Sequence, residues 1–297
     1  MMQQRRVALS TGVTLNVATA GPEDAPPLIL LHGFPESHRT WRGLVPLLAN
    51  DYRLVMPDQR GFAGSDRPHG ADAYHTDHLI ADLLALADAM DIETFTLIGH
   101  DWGGAVAWAA TLRGGPRIQR LAIINSPHPL IFQKTIIEDE AQRAASQYMR
   151  RFREPGMAEA IQAMGWETFF TKSFSPHIDL TTISDAERAA YIAEWSQDGA
   201  IEAMLAWYVA SPIIVPAMDE TVALPDWVLK GVPDIHVPVK IIWGMEDKAL
   251  LPCQLEGLDA LIDDLSVTRL DGVGHFAPWQ APEQVAAPLR DWLSSAA

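Results

Sequence analysis

A chain of 297 residues, 48% hydrophobic and 20% charged, is long enough to bury a sizeable core as one large domain or two smaller ones. Its 38 acidic and 22 basic residues leave a formal net charge of -16. That excludes partners met through basic patches, nucleic acid and anionic membrane surfaces among them, and suits a neutral small molecule.

In chain order, the N-terminal MMQQRRVALSTG is basic but no apolar run follows it, so no signal peptide is expected. No stretch approaches the roughly 20 apolar residues of a spanning helix, and the expected location is cytoplasmic. Short apolar runs then recur at Leu28–Leu31, Arg53–Met56, Phe95–Ile98, Leu121–Ile124, Val239–Trp243 and Leu265–Leu270, each ending in a loop motif. Continuous apolar runs of this length are buried on both faces, as in parallel sheets covered by helices. Helical spacing falls between them, at Leu79–Met90 and Ala105–Leu112. The alternation predicts a mostly parallel α/β sheet flanked by helices. From Pro127 to about Asp234 the strands stop and helical patterns take over, at Asp139–Phe152, Met157–Met164 and Asp185–Tyr208. Residues 127–234 are therefore expected to form a helical lid, inserted between two strands of a core made of residues 1–126 and 235–297.

The stretch Phe95-Thr-Leu-Ile-Gly99-His100-Asp101-Trp102-Gly103-Gly104 runs a buried strand into a small-x-Asp-x-small turn and then a helix. This is the layout of a nucleophile elbow, with a carboxylate where the motif carries serine. Gly99 and Gly103 stand where a sharp strand-to-helix turn leaves no room for side chains. Taken alone, Asp101 reads more readily as a helix cap. Two further strand ends change that. Gly244-Met245-Glu246-Asp247 follows one strand and Gly272-Val273-Gly274-His275 the next, in the order nucleophile, acid, histidine. Asp247 is the preferred acid, with Glu246 as the alternative. The loop His32-Gly33-Phe34-Pro35-Glu36 follows the strand Leu28–Leu31, so the backbone N–H groups of Phe34 and Trp102 are candidates for an oxyanion hole. His32 reads as the residue that orients this loop.

With those motifs in place, the chain resembles the α/β-hydrolase superfamily and, within it, the epoxide hydrolase branch, close to the haloalkane dehalogenases. The resemblance rests on His32-Gly33-Phe34-Pro35, Asp58-Gln59-Arg60-Gly61 with Gly64-Ser65-Asp66, Gly99-His100-Asp101-Trp102-Gly103-Gly104, Gly244-Met245-Glu246-Asp247 and Gly274-His275-Phe276. It covers nearly the whole chain, strongly in the core and less so in the lid. It implies the α/β-hydrolase fold and an alkyl-ester intermediate on Asp101, hydrolysed by water that His275 and Asp247 activate. It also implies two lid tyrosines that donate to the epoxide oxygen. Tyr148, in Tyr148-Met-Arg-Arg-Phe152-Arg-Glu154-Pro155-Gly156, resembles the first, with Tyr191 as competitor; Tyr208, in Trp207-Tyr208, resembles the second. Substrate would then touch Phe34, Trp102, Tyr148 and Tyr208.

An aspartate attacks saturated carbon and forms an alkyl ester, whereas a serine needs an acyl substrate. Its carboxylate is ionised without help, with a reference pKa of about 3.9, which frees His275 for the second step. Epoxide opening leaves a basic alkoxide, and a phenol of pKa about 10 is still protonated at neutral pH to meet it. The expected partner is thus a small apolar epoxide, with no cofactor, no metal, no nucleic acid and no membrane; the sequence is silent on oligomeric state. Halide departure would instead use N–H donors. Phe34 fills the place where dehalogenases commonly carry an asparagine, and haloacid-type relatives place His and Trp where Tyr148 and Met149 fall, whereas Trp166, Trp195 and Trp207 leave a lid donor open. A haloalkane or haloacid dehalogenase is therefore the alternative, and a non-catalytic receptor on the same scaffold a more distant one. His75 and His78, one helical turn apart, suggest no third metal ligand and read as a helix start. Cys253 has no second cysteine to pair with and reads as a packed side chain near a helix start, and Asp263-Asp264 as a solvated helix end.

Overall fold

A computed structural model describes residues 2–295. Its strands are β1 (Gln3–Ala8), β2 (Thr14–Ala20), β3 (Pro27–Leu31), β4 (Arg53–Pro57), β5 (Phe95–His100), β6 (Ile118–Ile124), β7 (Val239–Gly244) and β8 (Leu265–Leu270). They form one eight-stranded sheet in the order β1-β2-β4-β3-β5-β6-β7-β8. β1 and β2 pair antiparallel, as do β2 and β4, and every pairing from β4 to β8 is parallel.

The apolar strands alternate between two cores, as the pleat requires. Ile29, Leu31, Val55, Leu97, Ile123 and Ile241 pack on one face, with Trp108 and Leu86 of the helices Trp102–Leu112 and Thr76–Ala89. Leu28, Leu30, Leu54, Ile98, Ile124 and Ile242 face the other way, onto Trp41, Leu48, Val285 and Leu289. Both faces are therefore apolar, which is why the central strands read as unbroken hydrophobic runs.

Between β6 and β7 the described chain is helical, with helices at Pro129–Glu138, Glu140–Ala145, Gln147–Phe152, Met157–Met164, Trp166–Phe174, Asp185–Trp195, Ala200–Ala210 and Asp226–Lys230. They lie over the C-terminal edge of the sheet. Two sequence segments divide further than expected. Asp139–Phe152 breaks at Ser146, whose hydroxyl accepts from the Gln142 side chain at 3.0 Å. Asp185–Tyr208 breaks before Gly199, which turns the chain at φ 69. The N-terminal hairpin of β1 and β2 was not expected; β1 lies at the sheet edge with mostly exposed side chains and has no apolar run to announce it. Asp263 and Asp264 are exposed as expected, but in the turn entering β8 rather than at a helix end. His75 and His78 lie exposed at the start of the helix Thr76–Ala89, and Cys253 lies in a short 3-10 turn, Pro252–Leu255.

Candidate active site

The elbow between β5 and the helix Trp102–Leu112 places Asp101 at φ 50 and ψ -120, a conformation L-residues avoid. What forces it is crowding. A Cβ on Gly103 would lie 2.0 Å from the Leu31 carbonyl oxygen, and one on Gly99 would lie 2.6 Å from the Gly103 carbonyl oxygen. The helix thus approaches β3 closely enough to tip the Asp101 side chain up above the sheet. Ser126 Oγ donates to the Asp101 carbonyl at 2.7 Å and holds the turn from the β6 side.

His275, in the loop after β8, and Asp247, after β7, meet beside it. His275 Nδ1 donates to Asp247 Oδ2 at 2.7 Å, and its Nε2 lies 3.7 Å from Asp101 Oδ2. Asp247 Oδ1 accepts from the N–H groups of Ala249 and Leu250, each at 2.9 Å. Glu246, the alternative acid, is exposed, whereas Asp247 is 3% exposed. Burial alone would raise the Asp247 carboxyl, but His275, the Leu250 N–H and Asn125 outweigh it and hold it below the usual range. Burial likewise would lower His275; Asp247 and Asp101 overcome this and lift it to about 9. Asp101 is raised by burial, opposed by His275 and by the N–H groups of Phe34 and Trp102.

The Phe34 N–H donates to Asp101 Oδ1 at 2.7 Å. One of the two backbone donors expected for an oxyanion hole therefore already faces a carboxylate oxygen, and the Trp102 N–H also favours the charged carboxylate. His32 orients their loop: its Nε2 accepts from the Gln59 N–H at 3.0 Å, so Nδ1 carries the proton shared with the Gly33 carbonyl at 2.9 Å. Burial lowers its pKa to about 4, in keeping with a neutral ring.

Above Asp101 a cavity of about 70 Å³ is lined by Trp102, Phe132, Tyr148, Met149, Tyr208 and Leu250, among others. Tyr148 and Tyr208 stand together there, with ring centroids 6.1 Å apart, and the Tyr208 ring meets Trp102 edge-on at 5.1 Å. Burial raises both phenols above their ordinary pKa, and the Asp101 charge adds to it. Tyr191, the competitor of Tyr148, faces elsewhere: its hydroxyl donates to Glu36 Oε1 at 3.1 Å. Trp195 Nε1 donates to the Pro35 carbonyl at 2.7 Å and Trp207 Nε1 to the Arg60 carbonyl at 3.1 Å.

Two residues of the site carried no role in the sequence reading. Asn125 Nδ2 donates to Asp247 Oδ2 at 2.8 Å while its Oδ1 accepts from the Gly244 N–H at 2.9 Å, so it ties the acid to the end of β6. Its positive φ of 42, straight after a buried strand, is a structural signal that no sequence pattern revealed. Glu36, buried beneath the nucleophile loop, lies with Oε2 3.6 Å from His100 Nδ1, and burial raises its carboxyl to about 7. His100 Nε2 in turn donates to the His275 carbonyl at 2.9 Å.

A turn tip carrying a carboxylate, with a histidine beside it and an acid behind, on a mostly parallel sheet under a helical lid, defines a hydrolase-type site. A family model described as alpha/beta hydrolase fold matches residues 26–282. AB hydrolase superfamily protein YfhM of Bacillus subtilis is 37% identical over 290 residues, covering 96% of each chain. Epoxide hydrolase A of Mycobacterium tuberculosis is 30% identical, covering 97% of each. A solved structure described among novel epoxide hydrolases of the alpha/beta hydrolases superfamily, from metagenomes of hot environments, is 41% identical with a TM-score of 0.90 and covers 99% of both chains. The chain belongs to the α/β-hydrolase superfamily, in its epoxide hydrolase branch.

Proposed function

We propose that this chain hydrolyses small apolar epoxides to vicinal diols through a covalent ester on Asp101. The observation that carries the proposal is the carboxylate at the elbow tip, with one oxygen against the Phe34 N–H and the other turned toward His275 and the cavity. Asp101 Oδ2 attacks an epoxide carbon and the carbon–oxygen bond breaks. Tyr148 and Tyr208, protonated at neutral pH, donate to the departing oxygen, and a proton from one of them makes it a hydroxyl. In the second step His275 takes a proton from water and the water oxygen adds to the Asp101 carboxyl carbon. The adduct then collapses, His275 returning its proton to Oδ2 as it leaves as the second hydroxyl of the diol, while the proton left on the regenerated Asp101 carboxyl restores the tyrosine. The Phe34 and Trp102 N–H groups stabilise the oxyanion on Oδ1. Asp247 holds the imidazolium, with Asn125 and two backbone N–H groups holding Asp247.

The charges favour this order. Before reaction, Asp101 and Asp247 both stabilise a protonated His275. Once Asp101 is esterified its charge is gone, the His275 pKa falls, and the ring becomes a base at the moment one is needed. Two of the three lid indoles argue against halide release, since Trp195 and Trp207 spend their N–H groups on backbone carbonyls. We take the lid as residues 127–234 over a core of 1–126 and 235–297, a boundary supported by the bridge of Ile235 to Ile262 beside β8. No helix among the described residues is long and apolar enough to cross a membrane; a cytoplasmic location is part of this proposal.

The test is a trapped intermediate. With His275→Gln and an aryl epoxide, diol turnover should fall on the order of 10²–10⁴-fold, because general-base catalysis of the second step is lost. Mass spectrometry should find the substrate's mass added to the peptide carrying Asp101. Diol release at the wild-type rate, or an adduct on another residue, would overturn the proposal.

A further inference from the structure

We propose that His177, on the lid loop that follows the helix Trp166–Phe174, is a positioning residue for the second half of the reaction, pressing the His275 imidazole into the orientation that serves both Asp247 and the ester. The role rests on His275 acting as the base.

Three contacts point to it. The His177 and His275 ring centroids lie 5.5 Å apart at 49°, close enough for the rings to touch. The backbones meet as well: a Cβ on Gly274, the residue before His275, would lie 2.7 Å from the His177 carbonyl oxygen. The same lid segment is fastened by Phe174, which packs on Phe276 at 4.9 Å and on Trp279 at 5.8 Å, while the His177 ring stands edge-on to Phe276 at 5.6 Å. The loop carrying His275 is thus clamped from the lid on both sides of the histidine.

The His177 ring is not there to satisfy its own polarity. Among the described residues its Nδ1 is buried without a hydrogen-bond partner, an arrangement that costs stability and calls for a compensating use. It also stays uncharged. Burial first, then the neighbouring His275 charge and Lys248, lower it to about 4 against the opposing pull of Asp247. A neutral ring packs on His275 without repelling the imidazolium that forms as water is deprotonated. A cation in its place would repel it.

Single-turnover mixing with an aryl epoxide separates ester formation from ester breakdown, and only breakdown uses His275. In His177→Ala breakdown should slow by about tenfold or more while ester formation stays within about twofold, so kcat and KM fall together and kcat/KM holds. His177→Phe keeps the ring and should return breakdown to within about threefold of wild type. His177→Lys sets a fixed charge beside His275 and should move the acid limb of breakdown down by about one pH unit. Unchanged breakdown in His177→Ala, both steps slowed in parallel, or an unmoved acid limb in His177→Lys would each overturn the role. If His275→Gln traps the ester but His177→Ala behaves as wild type, this role alone fails. If His275→Gln traps nothing, the reading of Asp101 and His275 fails first.

Discussion

Three tyrosines of the lid share a chemistry and differ in where they point. Tyr191 is held by Glu36 and by Arg42, whose Nη1 donates to its hydroxyl at 3.2 Å. Tyr148 and Tyr208 line the cavity above Asp101. Only these two are placed to steady an opening epoxide, so Tyr148→Phe and Tyr208→Phe should each slow ester formation by about tenfold to a hundredfold, with Tyr191→Phe close to wild type in that step. Stopped-flow measurement of alkylation checks it, and equal rates in all three variants would remove the donor role. A second residue-scale expectation concerns pH. His275 sits at about 9 while Asp101 is charged, burial being overcome by the two carboxylates. The ester lacks one of those charges. Ester breakdown should therefore rise with pH through an apparent pKa clearly below 9, and a midpoint still at 9 in the pH profile of breakdown would mean that Asp101 does not govern the base.

At the scale of elements, the elbow trades backbone comfort for the reach of Asp101 into the cavity. Asp101 holds a positive φ that a glycine adopts freely, and strain of this kind costs about 1–3 kcal/mol. Asp101→Gly should abolish turnover yet raise the melting temperature by about 2–4 °C, since it also removes a buried carboxylate near Asp247. A lower melting temperature would mean that the Phe34 and His275 contacts outweigh the strain. The elbow was legible in the sequence because it is local: glycines on either side of Asp101, at the end of an apolar strand, state their purpose within ten residues. The central strands were legible because both their faces are buried. β1 was not, being a polar edge, nor were the lid breaks at Ser146 and Gly199, where one side-chain bond or one left-handed turn redirects an otherwise helical pattern. Asn125 and His177 escaped for another reason. Their partners, Asp247 and His275, are far along the chain, and only the folded sheet and lid bring them together.

Over the whole molecule, the lid is stitched to the core above the nucleophile. Trp195 and Tyr191 bond to the loop after β3, Trp207 to the loop after β4, and Arg39 Nε to Glu194 at 2.7 Å. On the opposite side, Gln142 donates to the Ala249 carbonyl and accepts from the Leu251 N–H, each at 2.9 Å, beside the loop that carries Asp247. A groove of about 750 Å³ opens elsewhere along the boundary of lid and core, between Arg67–Tyr74 and lid residues such as Glu154 and Glu202, and contains none of the proposed catalytic residues. The ring of Phe152, which lines it, packs on Tyr208 at 5.0 Å and on Phe34 at 5.2 Å, so one aromatic layer separates the groove from the reaction cavity.

The grip of the Phe34 N–H on Asp101 Oδ1 leaves the two oxygens of that carboxylate with different fates. One is anchored and survives each cycle; the other departs with the product and is replaced from solvent. In isotopically heavy water, every molecule should therefore release a single light diol and then only heavy ones. Mass spectrometry of the diols counts this directly: a count nearing two per molecule would show the carboxylate swivelling between turnovers, and a count of zero would mean that solvent attacks the epoxide itself.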